Sequence, residues 1–150
     1  MSRNTGRCGL IAIAGLLVLC ALVSIPALLY QSNPPVVSQP PWDSQQTVDL
    51  ARRACFDCHS NETRWPWFTK IPPGSWLAVF DTMRGRRVLN LSEWQPGAIR
   101  GERGGGVGEI GGVISEGSMP PWTYTLMHPN AVLNAQEKQQ LIQGLQASLK

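Results

Sequence analysis

The apolar and polar positions of the chain fall into blocks that predict helices separated by irregular connections. Leu10–Leu29 is twenty consecutive residues without a charge, LIAIAGLLVLCALVSIPALL, the length a helix needs to cross a hydrocarbon layer of about 30 Å. Gln31–Pro41, QSNPPVVSQPP, holds four prolines and no helical period, so it reads as an extended tether. Val48, Ala51, Cys55 and Cys58 then recur at spacings of 3, 4 and 3, one face of a short amphipathic helix with His59 at its exit. Trp76, Val79, Phe80 and Met83 predict a second helix, capped by Ser75 and faltering at Gly85. Residues 97–112 are rich in glycine and read as a flexible loop leading into a short helix. Ile110, Val113 and Ile114 give that helix a buried edge, and Gly117 is its stop. Asn134-Ala135-Gln136-Glu137 is a capping-box variant, after which Leu141, Ile142, Leu145 and Leu149 line one face of a terminal helix. That helix is expected to cross the one ending at the cysteines. The pattern predicts an all-α fold divided into an N-terminal segment (1–9), an apolar span (10–30), a tether (31–41) and one small domain (42–150).

Charge orients this plan. The formal net charge is +3, but Arg3 and Arg7 precede the apolar run and nothing basic follows until Arg52. The positive-inside tendency keeps residues 1–9 in the cytoplasm and exports the rest. Ile25-Pro26-Ala27 is a poor cleavage site, and Leu19 is too bulky before Cys20 for lipoprotein processing. The span therefore reads as an uncleaved anchor rather than a removed signal. From Pro34 onward eleven Lys/Arg face ten Asp/Glu, a net of +1, and Arg84, Arg86 and Arg87 are a solvated face near a turn. Such a balance is no nucleic-acid footprint. Six Trp, 12 Pro and 15 Gly in 150 residues describe a loop-rich domain with little core of its own, which a large flat cofactor would supplement.

Cys55-Phe56-Asp57-Cys58-His59 supplies the chemistry. Two thiols three positions apart on one helical face can add to the two vinyl groups of a porphyrin, and the adjacent imidazole can ligate its iron. Half of a zinc site and a thiol redox pair are the alternatives. Cys8 and Cys20 lie in or beside the apolar run and leave no four-ligand set, and no βαβ context is visible. One covalently attached haem c is expected, with Cys55 and Cys58 as thioether sites and His59 as proximal ligand. The proline- and aromatic-rich stretch 61–76 suits flat apolar cover for the porphyrin, with Arg64 a candidate partner for a propionate. Met119, held by Pro120 and Pro121 and 60 residues beyond His59, is the candidate distal ligand. A thioether there raises the reduction potential. His128 is its rival, with Met127 and Met83 behind it. Gly106–Gly111 satisfies G-x-G-x-x-G, but residues 100–105 cannot form a buried parallel strand and no second strand presents an acid about 20 residues on. Hydrolytic chemistry has no support, since neither a Ser-His-Asp set nor paired carboxylates are discernible.

With these residues in place, the chain resembles the small bacterial haem-binding domain proteins related to c-type cytochromes. The resemblance rests on Cys55–Trp67 (CFDCHSNETRWPW), Ser75-Trp76, Gly85–Trp94 (GRRVLNLSEW), and Met119–Trp122 with Tyr124, His128 and Pro129, and covers about Trp42–Leu149. It implies a cytochrome c-like helical domain wrapped around one haem, held by Cys55, Cys58, His59 and Met119. The chain departs from the family pattern at 104–112, where a more charged helix is expected. The resulting expectation is a single-pass protein of the bacterial inner membrane with its haem domain in the periplasm. It would pass single electrons to redox partner proteins and act as a carrier rather than a catalyst. The alternative is a haem sensor or peroxidase-like protein with a displaceable distal ligand, motivated by the 101–112 loop ahead of Met119.

Overall fold

Helix α1 (Arg3–Tyr30) contains Arg7–Tyr30, a 24-residue run long and apolar enough to cross a membrane. The structure is a computed structural model that describes residues 3–97, 99 and 106–150; the expectations for 100–105 lie outside the described residues. After α1 come α2 (Gln45–Ala54), α3 (Phe56–His59), α4 (Gly74–Val88), α5 (Gly106–Ser115), α6 (Trp122–Met127) and α7 (Ala135–Ser148), with 3-10 turns at Trp67–Lys70 and Pro129–Ala131. Among the described residues there is no strand, only an isolated parallel bridge between Ser38 and Glu93. The fold is all-helical.

Two compact units share the chain. The first takes the residues up to Ser32 together with Trp65–Phe80. Within it the Trp76 indole donates to the Val23 carbonyl (3.2 Å), Lys70 Nζ donates to Gln31 Oε1 (2.7 Å), and the Gln31 amide donates to the Thr69 carbonyl. Of the apolar side chains expected to pack along α4, only Val79 is buried, while Trp76, Phe80 and Met83 are exposed. Ser75 does not cap α4 either, because its buried hydroxyl has no partner.

The second unit, Asn33–Arg64 with Asp81–Lys150, holds the core. Leu50, Ala51, Ala54, Phe56, Leu91, Trp94, Ile114, Leu141, Leu145 and Leu149 cluster there, with Trp42 beside Phe56 at 6.1 Å between ring centroids. The tether residues Val37 and Ser38 are extended and donate their amides to the Ser92 carbonyl (2.8 and 3.1 Å). Ser44 caps α2 by accepting the Thr47 amide. The helix buries Thr47, Leu50, Ala51 and Ala54, a face rotated from the Val48–Ala51–Cys55 stripe, because Thr47 is drawn in by its crossing with α7.

The capping box at Asn134 and Glu137 forms in both directions, and α7 packs on both α2 and α5. Leu141, Leu145 and Leu149 face the core as their spacing predicts. At Gly144 a β-carbon would stand 2.7 and 2.8 Å from Thr47 Cγ2 and Cβ. Gly144→Ala is therefore expected to cost about 1–3 kcal/mol as the two helices are forced apart, read as a lower denaturant midpoint at unchanged m-value. Helix α5 begins at Gly106, so Gly106, Gly108, Gly111 and Gly112, expected in or next to a loop, lie within the helix. Gly111 explains them in part: a β-carbon there would meet Ile142 Cγ2 of α7 at 3.2 Å. Gly117, with φ 77°, ends the helix as anticipated, since a left-handed residue is cheapest as glycine.

Candidate functional site

Cys55 breaks the helix that carries it. Its amide still bonds the Ala51 carbonyl (2.8 Å), but its backbone (φ −125°, ψ −37°) ends α2 and α3 starts at the next residue. The Cys55 carbonyl then accepts the amides of Cys58 (3.1 Å) and His59 (2.8 Å). One turn thus gathers both thiols and the imidazole, as their spacing anticipates. Neither cysteine is in a disulfide and both are half-buried. Burial, reinforced by Cys58, pushes the Cys55 thiol up to about 12. Burial and the carboxylates of Asp81 and Asp57 push Cys58 up to about 12, against the opposing pull of Arg86. Thiols held neutral are poor redox nucleophiles and poor metal ligands. Among the described residues, no group of three or more His, Cys, Asp or Glu is placed to hold a metal ion.

His59 is oriented by the opposite wall of the unit. Its Nδ1 lies 3.1 Å from the Leu89 carbonyl. A carbonyl has no proton to give, so Nδ1 carries the hydrogen and the lone pair is left on Nε2. Burial lowers the imidazole's pKa, with backbone bonds to Leu89 and Gly85 opposing, which favours the neutral form a metal ligand requires. Helix α4 passes beside this turn instead of faltering at Gly85. A β-carbon at that position would come within 2.9 and 3.0 Å of the Cys58 carbonyl carbon and Cβ, so glycine permits the contact. A neutral imidazole with Nε2 unprotonated beside two uncharged thiols is a donor set that fits a haem.

The residues after the motif hold its position. Ser60 donates its hydroxyl to the Phe56 carbonyl (2.8 Å) and accepts the Glu62 amide (2.9 Å). Asn61 reaches the Pro35 carbonyl, Glu93 and Asn90 through its side chain. Arg86 Nε donates to the Ser60 carbonyl (2.8 Å), and the Leu91 amide donates to the His59 carbonyl (2.7 Å). In the resemblance these were two separate blocks of sequence. Folded, they are one polar network behind the Cys55–His59 turn.

Asp57, between the cysteines, is a site residue that sequence reasoning missed. It is buried, and Oδ1 accepts the Arg64 amide (3.0 Å) and Nε (3.2 Å). Oδ2 accepts an Arg64 terminal nitrogen (3.0 Å) and the Tyr124 hydroxyl (2.7 Å). Burial raises the carboxyl's pKa, but the bonds from Arg64 and Tyr124 outweigh it and hold the value below the usual range. Arg64, a candidate propionate partner by sequence, is thus engaged with Asp57. Met119 sits at the α5–α6 junction with its amide on the Val113 carbonyl (3.0 Å) and its side chain 40 % exposed. His128 caps α6, with Nδ1 on the Tyr124 carbonyl (3.0 Å) and its ring stacked on Tyr124 at 4.1 Å. No periodicity marks Asp57 or Tyr124. Both stand among the residues that carry the resemblance, which says nothing of the bond between them.

A family model described as a haem-binding domain matches residues 17–147. The chain belongs to the haem-binding domain family. No curated protein and no solved structure matches it. This membership makes the protein a haem-binding one, and among the described residues the turn Cys55–His59 is where this haem-binding domain presents thiols and imidazole together.

Proposed function

We propose that this haem-binding protein is a membrane-anchored, monohaem c-type cytochrome-like carrier that passes single electrons outside the cytoplasm. The observation that carries the reading is the turn in which Cys55, Cys58 and His59 meet, with His59 Nδ1 bonded to the Leu89 carbonyl. Cys55 and Cys58 would hold the haem through thioether bonds, and His59 and Met119 would be the residues that ligate its iron. When bound, the haem supplies a one-electron ferrous–ferric couple. The chain holds the imidazole through the Leu89 carbonyl and braces the strip that carries Leu89 through the bond between Asn61 and Asn90. A carbonyl acceptor on the far nitrogen also raises the basicity of the ligating one.

Met119 is favoured over His128 because the His128 ring is stacked on Tyr124 at 4.1 Å, a contact that ligation would break. Met119 is already exposed. The apolar run of α1 supports a single-pass anchor in the bacterial inner membrane, and Arg3 and Arg7 ahead of it support an exported, periplasmic domain. Redox proteins are the partners such a carrier requires.

The test is an absorption spectrum of the purified full chain in both oxidation states, with and without carbon monoxide. A low-spin spectrum indifferent to carbon monoxide is expected. Met119→Ala is expected to open the ferrous iron to essentially complete carbon monoxide binding and to lower the potential, because a strong-field thioether is lost. An unchanged spectrum and potential would sink the assignment of Met119.

A further inference from the structure

Met119 is bracketed by two fixed points. On one side its own amide is bonded to the Val113 carbonyl at the end of α5 (3.0 Å). On the other, the Tyr124 and Thr125 amides both donate to the Pro121 carbonyl (3.0 and 3.1 Å). The single turn of α6 therefore locks Pro121, two residues from Met119, to the tyrosine. The Tyr124 hydroxyl in turn donates to Asp57 Oδ2 at 2.7 Å, across 67 residues of sequence. The acceptor lies inside C-x-x-C-H, one residue from Cys58 and two from His59.

Charge balance does not require this bond. Arg64 already gives the Asp57 carboxylate three N–H donors, its amide, Nε and a terminal nitrogen. What the tyrosine adds is a connection between distant segments. A hydrogen bond to an ionised, buried acceptor is among the strong ones, and a phenol on a two-torsion side chain transmits position with little slack. The stack of the Tyr124 ring on His128, at 4.1 Å and 16° between planes, restrains the ring itself.

The geometry points to Tyr124 as a positioning residue: its hydroxyl, bonded to the carboxylate within C-x-x-C-H, fixes the segment that bears Met119 relative to His59. The inference rests on the proposed ligation by Met119, and it assigns to Tyr124 control over how readily that sulfur leaves. The proximal turn and the distal segment then move as one piece, so the sixth position opens only when the Tyr124–Asp57 bond breaks.

Tyr124→Phe keeps the stacked ring and removes only the donor. In the haem-loaded full chain it is expected to speed carbon monoxide binding to the ferrous protein about tenfold, the factor one hydrogen bond to a charged acceptor supports. Asp57→Glu, which keeps the charge but displaces the acceptor, is expected to act in the same direction. Gly144→Ala, which loosens the packing of α7 on Thr47 without touching Asp57 or Tyr124, is expected to stay within about twofold of wild type. Hydrogen exchange in the 119–128 peptide is expected to rise in Tyr124→Phe, also in protein made without haem. If Met119→Ala binds carbon monoxide freely while Tyr124→Phe behaves as wild type, the positioning role is wrong and the ligation stands. If Met119→Ala itself is silent, both fall. Equal acceleration by Gly144→Ala and Tyr124→Phe would mean general loosening and would also overturn the role.

Discussion

Replacing Cys55 and Cys58 together by serine is expected to abolish the haem-staining band that survives denaturation of the wild-type chain. The two thiols and His59 lie in one turn closed by the Cys55 carbonyl, and a hydroxyl does not add to a vinyl group as a thiol does. Folding is expected to survive, because both positions are only half-buried and a sulfur-to-oxygen change at such a site costs on the order of 1 kcal/mol. Circular dichroism of the double variant should match wild type. Each single variant keeps one thioether site and is expected to retain a weaker stained band. The ligand His59 is untouched in all three, so haem that remains bound but washes out under denaturant separates loss of attachment from loss of binding. A wild-type chain whose haem is itself extracted by denaturation would refute covalent attachment while leaving the family's haem binding intact.

The sequence announced this turn and the outline of the domain for identifiable reasons. Leu141, Leu145 and Leu149 are long apolar side chains at helical spacing, and Asn134 and Glu137 are the two halves of one local motif, so both declare themselves without tertiary information. The misreadings share a cause. At Gly85 and Gly111 glycine was ambiguous between helix breaker and close-approach residue, and only the neighbour decides: the Cys58 backbone and Ile142 respectively. The stripe Trp76–Phe80–Met83 obeyed helical periodicity, yet those side chains are exposed; periodicity fixes a common face but not what covers it. The bond between Asp57 and Tyr124 was illegible because it spans 67 residues and neither residue lies in a repeating pattern. Position 61 falls between these cases, for its motif was visible and its physical reason was not.

Asn61→Ala is expected to destabilise the domain by about 2–3 kcal/mol, a large fraction of a small domain's stability. The side chain is 2 % exposed and uses both ends. Its amide donates to the Pro35 carbonyl (3.0 Å) and Glu93 Oε1 (2.9 Å), and its carbonyl accepts from Asn90 (3.0 Å). Pro35 and Glu93 are exposed and can turn to water, so the cost is set mainly by the cavity and by the half-buried Asn90 amide left without its acceptor. Asn61→Asp is the sharper variant. It keeps the acceptor for Asn90, removes both donors, and buries a second carboxylate against Glu93, so it is expected to cost more than alanine. A network that served only packing would rank the two the other way, since aspartate is nearly isosteric with asparagine. The functional consequence follows from connectivity: Asn61 bonds Asn90, whose neighbours Leu89 and Leu91 hold the His59 ring and carbonyl respectively. Weakening that strip should let the imidazole turn. Either variant, measured below its unfolding midpoint, is therefore expected to show a broadened ferrous spectrum before it shows loss of helix, and helix loss that comes first would place Asn61 in the scaffold alone.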